Sequence, residues 1–293
     1  MSEPDGGDVD AGRVATAFGS LGDENRIAIL LALWREGPLS FADLQAAAGF
    51  DDSGHFNYHL DKLLEQFVEK TDDERYRLRA AGTKAIDIVH DERFAASTPT
   101  VEQPLDAVCP ECGETLHATY EDGMVEIACP ACSVVVHIGY FPPRGRTSRD
   151  LDDFLAAYAR RLWRDFTLAH RGVCPHCSGR MDTTVDTDPD WHLSVPAMSE
   201  CRDCGVLIGT TIALRLLADP DVVSFLADHG VCVDERPFWE LEPCIDDSEA
   251  EIASEDPIRV VVPFAQDRET LRVTVDEGAR VVATERSRRR TGD

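Results

Sequence analysis

The stretch SGHFNYHLDKLL, residues 53–64, decides how the N-terminal third of the chain folds. Its apolar residues Phe56, Leu60, Leu63 and Leu64 recur at spacings of three and four, which places them in one buried stripe on a helix. Ser53, His55, Asn57, Tyr58 and His59 are short or planar hydrogen-bonding groups, where a plain surface helix would carry Glu and Lys. A face of this kind is expected to touch a partner.

The flanking segments supply the frame for that helix. Upstream, VATAFGSLG (14–22) and DENRIAILLALWREG (23–37) read as helices, the second with Ile27, Leu30, Leu31 and Leu33 apolar and a stop at Gly37-Pro38. Ser40 caps a short helix, FADLQAAAG (41–49), which Gly49 ends. Downstream, Val68 to Thr71 and Arg75 to Arg79 read as two strands joined by an acidic turn, and GTKAIDIVHDERF (82–94) as a closing helix. The three helices from residue 23 onward, the hairpin and the closing helix predict a winged helix-turn-helix over residues 13–96, after an acidic disordered tail at 1–12. In that frame Ser53 and the helix N-terminus donate to phosphate, and His55, Asn57 and Tyr58 reach base edges. Lys62 takes a phosphate, and Arg75 and Arg77 in the wing are candidates for the minor groove.

These segments resemble the ArsR-like winged-helix regulators, and in particular their haloarchaeal versions. LGDENRIAILLAL (21–33) looks like the family's opening segment, PLSFADLQAAAGF (38–50) like the first helix of its helix-turn-helix, and HFNYHLDKLLEQFVEKTDDERYRL (55–78) like recognition helix plus wing. Where the family carries Ala-Gly before the wing this chain has Gln66, in a stretch one residue shorter. The resemblance implies a DNA-binding transcriptional regulator that acts on double-stranded DNA as a homodimer, with an interface at Val14 to Leu21 and Ala85 to Phe94. It does not extend to the family's thiolate sensor, because residues 13–96 contain no cysteine.

A formal net charge of −26 would by itself repel a DNA partner. However, the 55 Asp and Glu are spread along the whole chain and Lys is limited to Lys62, Lys70 and Lys84, a composition that resembles salt-in halophilic proteins. At 1 M salt the Debye length is about 3 Å, so distant carboxylates do not hold a phosphate away. The charge describes the solvent, and DNA binding stands.

Residues 97–108 read as a Thr-Pro linker, and beyond them the composition changes. CPEC at Cys109 and Cys112 is followed by an alternating hairpin around Asp122-Gly123 and by CPAC at Cys129 and Cys132. The arrangement repeats with CPHC at Cys174 and Cys177, an expected hairpin from Met181 to Val195, and CRDC at Cys201 and Cys204. Each knuckle aims two thiolates at one point, and two knuckles complete a tetrahedron with bonds of about 2.3 Å. The expectation is two structural zinc ions in two zinc ribbons, at 109–140 and 173–212. His117, His137, His176 and His192 are not needed as ligands, and Cys232 and Cys244 read as ordinary buried thiols. Between the ribbons, residues 141–172 carry an amphipathic helix with Leu151, Phe154, Leu155, Tyr158, Leu162 and Phe166 on one face. Seven arginines against four aspartates from Arg144 to Arg171 make this segment locally positive, read first as pairing within the chain and second as a nucleic-acid contact. A small α+β segment at 213–286, packed on the ribbons, and a tail at 287–293 complete the chain.

The fold class is therefore α+β and multidomain. No Ser-His-Asp order, HExxH, phosphate loop or GxGxxG appears, which predicts a non-enzyme. Cysteines paired as knuckles, without a signal peptide or an apolar run long enough for a membrane span, predict a cytoplasmic protein with no membrane contact. Two rival readings remain. One is a basal factor resembling archaeal transcription factor E, which contacts RNA polymerase. The other is a zinc-stabilised protein-interaction or ligand-sensing module.

Overall fold

The computed structural model describes residues 9–92, 100–189 and 192–288. The chain divides into two compact units, residues 1–97 with 142–144, and residues 98–141 with 145–293. Each has its own core. The expected tail at residues 1–8, the start of the linker at 97–99, Phe94 and residues 289–293 lie outside the described residues.

In the first unit, α1 (Ala11–Leu21) starts inside the segment expected to be disordered, because Asp10 accepts the amide of Arg13 and so caps the helix. Asp23 caps α2 (Glu24–Glu36) through the amides of Asn25 and Arg26, and Gly37, at a φ of 78°, closes it. Ser40 caps α3 (Phe41–Ala47) and Asp52 caps α4 (Ser53–Leu63). Strands β1 (Val68–Lys70) and β2 (Tyr76–Leu78) pair antiparallel, and Tyr76 also exchanges two backbone hydrogen bonds with Leu39. That bridge ties the turn between α2 and α3 to the hairpin. Helix α5 (Ala80–His90) closes the unit. Ile29, Leu30, Leu33, Leu44, Phe56, Leu60, Leu63 and Ile86 form its core, each worth about 1.5–3 kcal/mol by burial.

In the second unit, β3 (Val101–Val108), β4 (Thr115–Glu121), β5 (Met124–Ala128) and β6 (Val135–Tyr140) form an antiparallel sheet in chain order. Residues 101–108, expected as linker, are thus a strand, paired with β4 from Val101↔Tyr120 to Pro104↔His117. The short α6 (Pro143–Thr147) precedes α7 (Leu151–His170), whose stripe of Phe154, Leu155, Tyr158, Leu162 and Phe166 is buried. Phe154 meets Tyr120 and Phe141 edge-on at 5.5 and 5.3 Å, which locks α7 to the first sheet.

A second sheet contains β7 (Met181–Val185), β8 (Pro196–Cys201) and β9 (Leu207–Thr211). The return strand therefore begins at Pro196, one residue beyond the expected hairpin. After α8 (Ile212–Leu216) and α9 (Pro220–Asp228) comes a four-stranded meander of β10 (Glu251–Glu255), β11 (Ile258–Gln266), β12 (Glu269–Val275) and β13 (Val281–Arg288). Val260, Val262 and Phe264 on β11 alternate inward opposite Val275, Val273 and Leu271 on β12. One core runs through the first sheet, α7, part of the second sheet, α8, α9 and the meander. The terminal segment, expected to pack on the ribbons, shares this core with the first sheet, α7 and part of the second sheet.

Two cysteine tetrads and an exposed helix face

Four knuckles with the same local geometry hold the cysteines. In each, the amide of the first Cys donates to the carbonyl five residues on, and the amide four residues on donates back to that Cys carbonyl, at 2.8–3.0 Å. The fifth position turns left-handed, with φ of 76° at Gly113, 64° at Ser133, 63° at Ser178 and 71° at Gly205. The sequence signal for the knuckle is therefore CxxC followed by Gly or Ser, a pattern that counting cysteines alone passes over.

Cys109, Cys112, Cys129 and Cys132 converge in one tetrad, and Cys174, Cys177, Cys201 and Cys204 in another. Among the described residues these are the groups of three or more side chains arranged to hold a metal ion, so His117, His137, His176 and His192 stand outside both. The cross-pair sulfur distances are 3.5 and 3.4 Å in the first tetrad and 3.7 and 3.5 Å in the second. Bonds of about 2.3 Å to one tetrahedral ion require sulfurs about 3.8 Å apart, so both sets fit a metal of that size with shifts of a few tenths of an ångström.

The first Cys of each knuckle is buried and the second exposed. The amides of Cys132 and Ala131 hold the Cys129 thiol down to about 7, and those of Cys204 and Asp203 do the same for Cys201. At Cys112 the amide of Glu114 also favours the thiolate, but the crowded sulfurs outweigh it and push the thiol up to about 12. Cys177 behaves alike beside the amide of Gly179. A divalent cation at the centre removes that repulsion and makes four thiolates compatible.

Helix α4 buries Phe56, Leu60 and Leu63 and leaves Ser53, His55, Asn57, Tyr58 and Lys62 exposed. Tyr58 is 58% exposed, and Lys62 lies over its ring at 5.6 Å. Asn57 donates to Asp61 at 2.9 Å, and the Ser53 hydroxyl donates to Gln45 at 2.9 Å. His59 is buried, with its Nε2 at 2.9 Å from Nε2 of His55, a link the sequence reading did not contain. In the hairpin, Arg75 is exposed, while Arg77 is paired with Glu69 at 2.6 Å.

The arginines of 144–171 make many contacts within the chain. Arg146 lies over Phe154, Arg161 over Tyr140, Arg164 pairs with Asp165, and Arg171 donates to the Ala218 carbonyl. Cys244 is buried as expected, and burial pushes its thiol up, but Cys232 is exposed rather than buried. No helix among the described residues is long and apolar enough to cross a membrane.

No curated protein and no solved structure matches the chain. A family model described as a domain of unknown function (DUF7347) matches residues 14–89, the helices and hairpin of the first unit. A second, described as a domain of unknown function (DUF7351), matches residues 106–281, more than half of the chain and both tetrads, so the chain belongs to the DUF7351 family.

Proposed function

We propose that the chain is a DNA-binding transcriptional regulator. In this reading residues 13–96 are a winged helix-turn-helix with α4 as recognition helix and β1–β2 as wing, and the two tetrads hold structural zinc as ribbons. The observation that carries the reading is the division of α4: three apolar residues are sunk in the core while His55, Asn57 and Tyr58 remain on the surface toward its N-terminus and Lys62 on the surface of its last turn. Tyr58 is 58% exposed, its ring edge-on to His59 at 5.2 Å and below Lys62 at 5.6 Å, and an amide at Asn57 suits adenine once it exchanges Asp61 for a base. Arg77, engaged with Glu69, carries less of the wing contact than Arg75.

Zinc is favoured by four-thiolate donor sets with tetrahedral spacing, which leave no open coordination position for catalysis. Val14 and Phe18 on α1, Trp34 on α2 and Ile88 on α5 are exposed, which supports a homodimer built on α1 and α5.

The test is selection of DNA from a random duplex pool by the zinc-loaded chain, followed by binding of wild type and variants across a potassium chloride series. Asn57→Ala and Tyr58→Ala should each cost about 1–3 kcal/mol at the selected site and relax its sequence preference. Lys62→Ala should weaken all duplexes alike. Equal affinity for selected and scrambled duplexes at every salt, unmoved by Asn57→Ala and Tyr58→Ala, would refute DNA reading and leave a protein as the partner of this face.

A further inference from the structure

The first unit carries a pair of imidazoles outside both tetrads, one exposed and one buried. His55 and His59 stand one turn apart on α4, and their Nε2 atoms are 2.9 Å from each other. The Nδ1 of His59 is buried and lies 3.4 Å from Oδ1 of Asp23, the α2 cap. A carboxylate on that side keeps the His59 proton on Nδ1, so its Nε2 presents a lone pair outward, toward His55. In the metal-free chain one Nε2 donates to the other, and an ion that replaces the shared proton takes both Nε2 lone pairs, His55 being exposed to solvent on that side. Phe50 walls the pair, its ring centroid 5.5 Å from that of His55 and 5.9 Å from that of His59. Asp51 and Asp52 stand at the start of the same helix and offset the positive end of its dipole.

We infer that His55 and His59 form a third metal site, for a divalent transition ion that favours imidazole nitrogen, with Asp23 holding the His59 ring from behind. The donor type selects the class of ion. Imidazole nitrogen suits borderline transition ions, and Ni²⁺ and Cu²⁺ stand at the upper end of the affinity order for such donors. With metal–nitrogen bonds of about 2.05 Å, nitrogens 2.9 Å apart take up an ion between them with shifts of at most a few tenths of an ångström. Water completes the remaining positions, since the exposed side of His55 faces solvent. The chain thus sorts metals by donor: thiolate tetrahedra in the second unit, and a pair of imidazoles in the first.

The experiment uses the full chain with both tetrads loaded with zinc, titrated with Ni²⁺ and dialysed, with nickel and zinc measured together. Wild type should retain one Ni²⁺ per chain with its zinc content unchanged, and the imidazole nitrogen resonances of His55 and His59 should be the ones that move. His55→Gln, a change at an exposed position, should lose that nickel and keep its zinc, whereas His117→Gln should retain both. Equal nickel retention by wild type and His55→Gln, nickel uptake only in exchange for zinc, or no nickel retained by the zinc-loaded wild type would each overturn the assignment.

Discussion

Removing one cysteine from each tetrad should not have the same effect. Cys109 and Cys129 belong to the large core that also contains Leu116, Tyr120, Phe154, Tyr158 and the buried face of the meander. Cys174 and Cys201 belong instead to a satellite of four buried residues, with Ala169 and Met181. A structural metal in a thiolate site supplies on the order of 10 kcal/mol, comparable with the roughly 5–15 kcal/mol that holds a whole domain folded. Cys109→Ser takes away the metal and breaks into the shared core, so the second unit should unfold as one body. Cys174→Ser takes away a metal that secures mainly the satellite, so unfolding should stay between about Gly172 and Thr211. Hydrogen exchange read by mass spectrometry, with elemental analysis of the same samples, distinguishes the two. In Cys109→Ser, β4, β5, α7 and β11–β12 should lose protection together. In Cys174→Ser, β11–β12 should keep it while β7–β9 lose it. The first unit should stay protected in both variants because Phe56, Leu60 and their neighbours form a separate core. Collapse of β11–β12 in Cys174→Ser, or an intact first sheet in metal-depleted Cys109→Ser, would refute the reasoning.

Two glycine exchanges should move stability in opposite directions. Gly82→Ala improves helix propensity by about 1 kcal/mol, but its Cβ would collide with the backbone carbonyl of Phe67, so a net loss of about 1–2 kcal/mol in the first unit is expected in denaturant titration. Ser133→Gly removes the cost of a left-handed φ of 64° and should gain about 1 kcal/mol at constant metal content, whereas an unchanged midpoint would refute the strain. Among the rings of Tyr158, Phe166 and Phe238, burial pushes the pKa of His137 down to about 4. The unfolded chain, titrating near 6.5, then binds a proton that the folded chain refuses. Stability is whole above pH 6.5 and declines toward pH 4, by about 3 kcal/mol. His137→Phe should flatten that slope in pH-dependent denaturation, and an unchanged slope would exclude His137 as its source.

The elements most legible in the sequence were those whose cause is local. The stripe of α4 and the Ser40 cap need only neighbours within a turn or two, and the spacing of the CxxC pairs already separates the two tetrads. Strand β3 was hidden because Thr-Pro composition and Pro104 read as linker, while its partner lies across a knuckle in β4. Strand β10, EIASE, lacks the β-branched density of its neighbours and is defined by its pairing with β11. The shared core of the second unit was equally hidden, since a stripe on α7 announces burial without naming what it is buried against. The His55–His59 contact escaped for the opposite reason: its spacing was in plain view, but the position of Asp23 beside the His59 ring comes from another helix.

The alternation within each knuckle, first cysteine buried and second exposed, bears on how a bound ion leaves. A competing ligand in solution reaches Cys112 and Cys132, or Cys177 and Cys204, without any part of the fold opening. Exchange therefore proceeds by stepwise substitution at the solvent-facing pair, and its rate rises with the concentration of the attacking ligand. The buried pair is surrendered last, so the polypeptide stays threaded around the ion until the final bonds break. The lifetime of a metal held in these tetrads would then be set by the chemistry of its surroundings and only weakly by the unfolding rate of the chain that carries it.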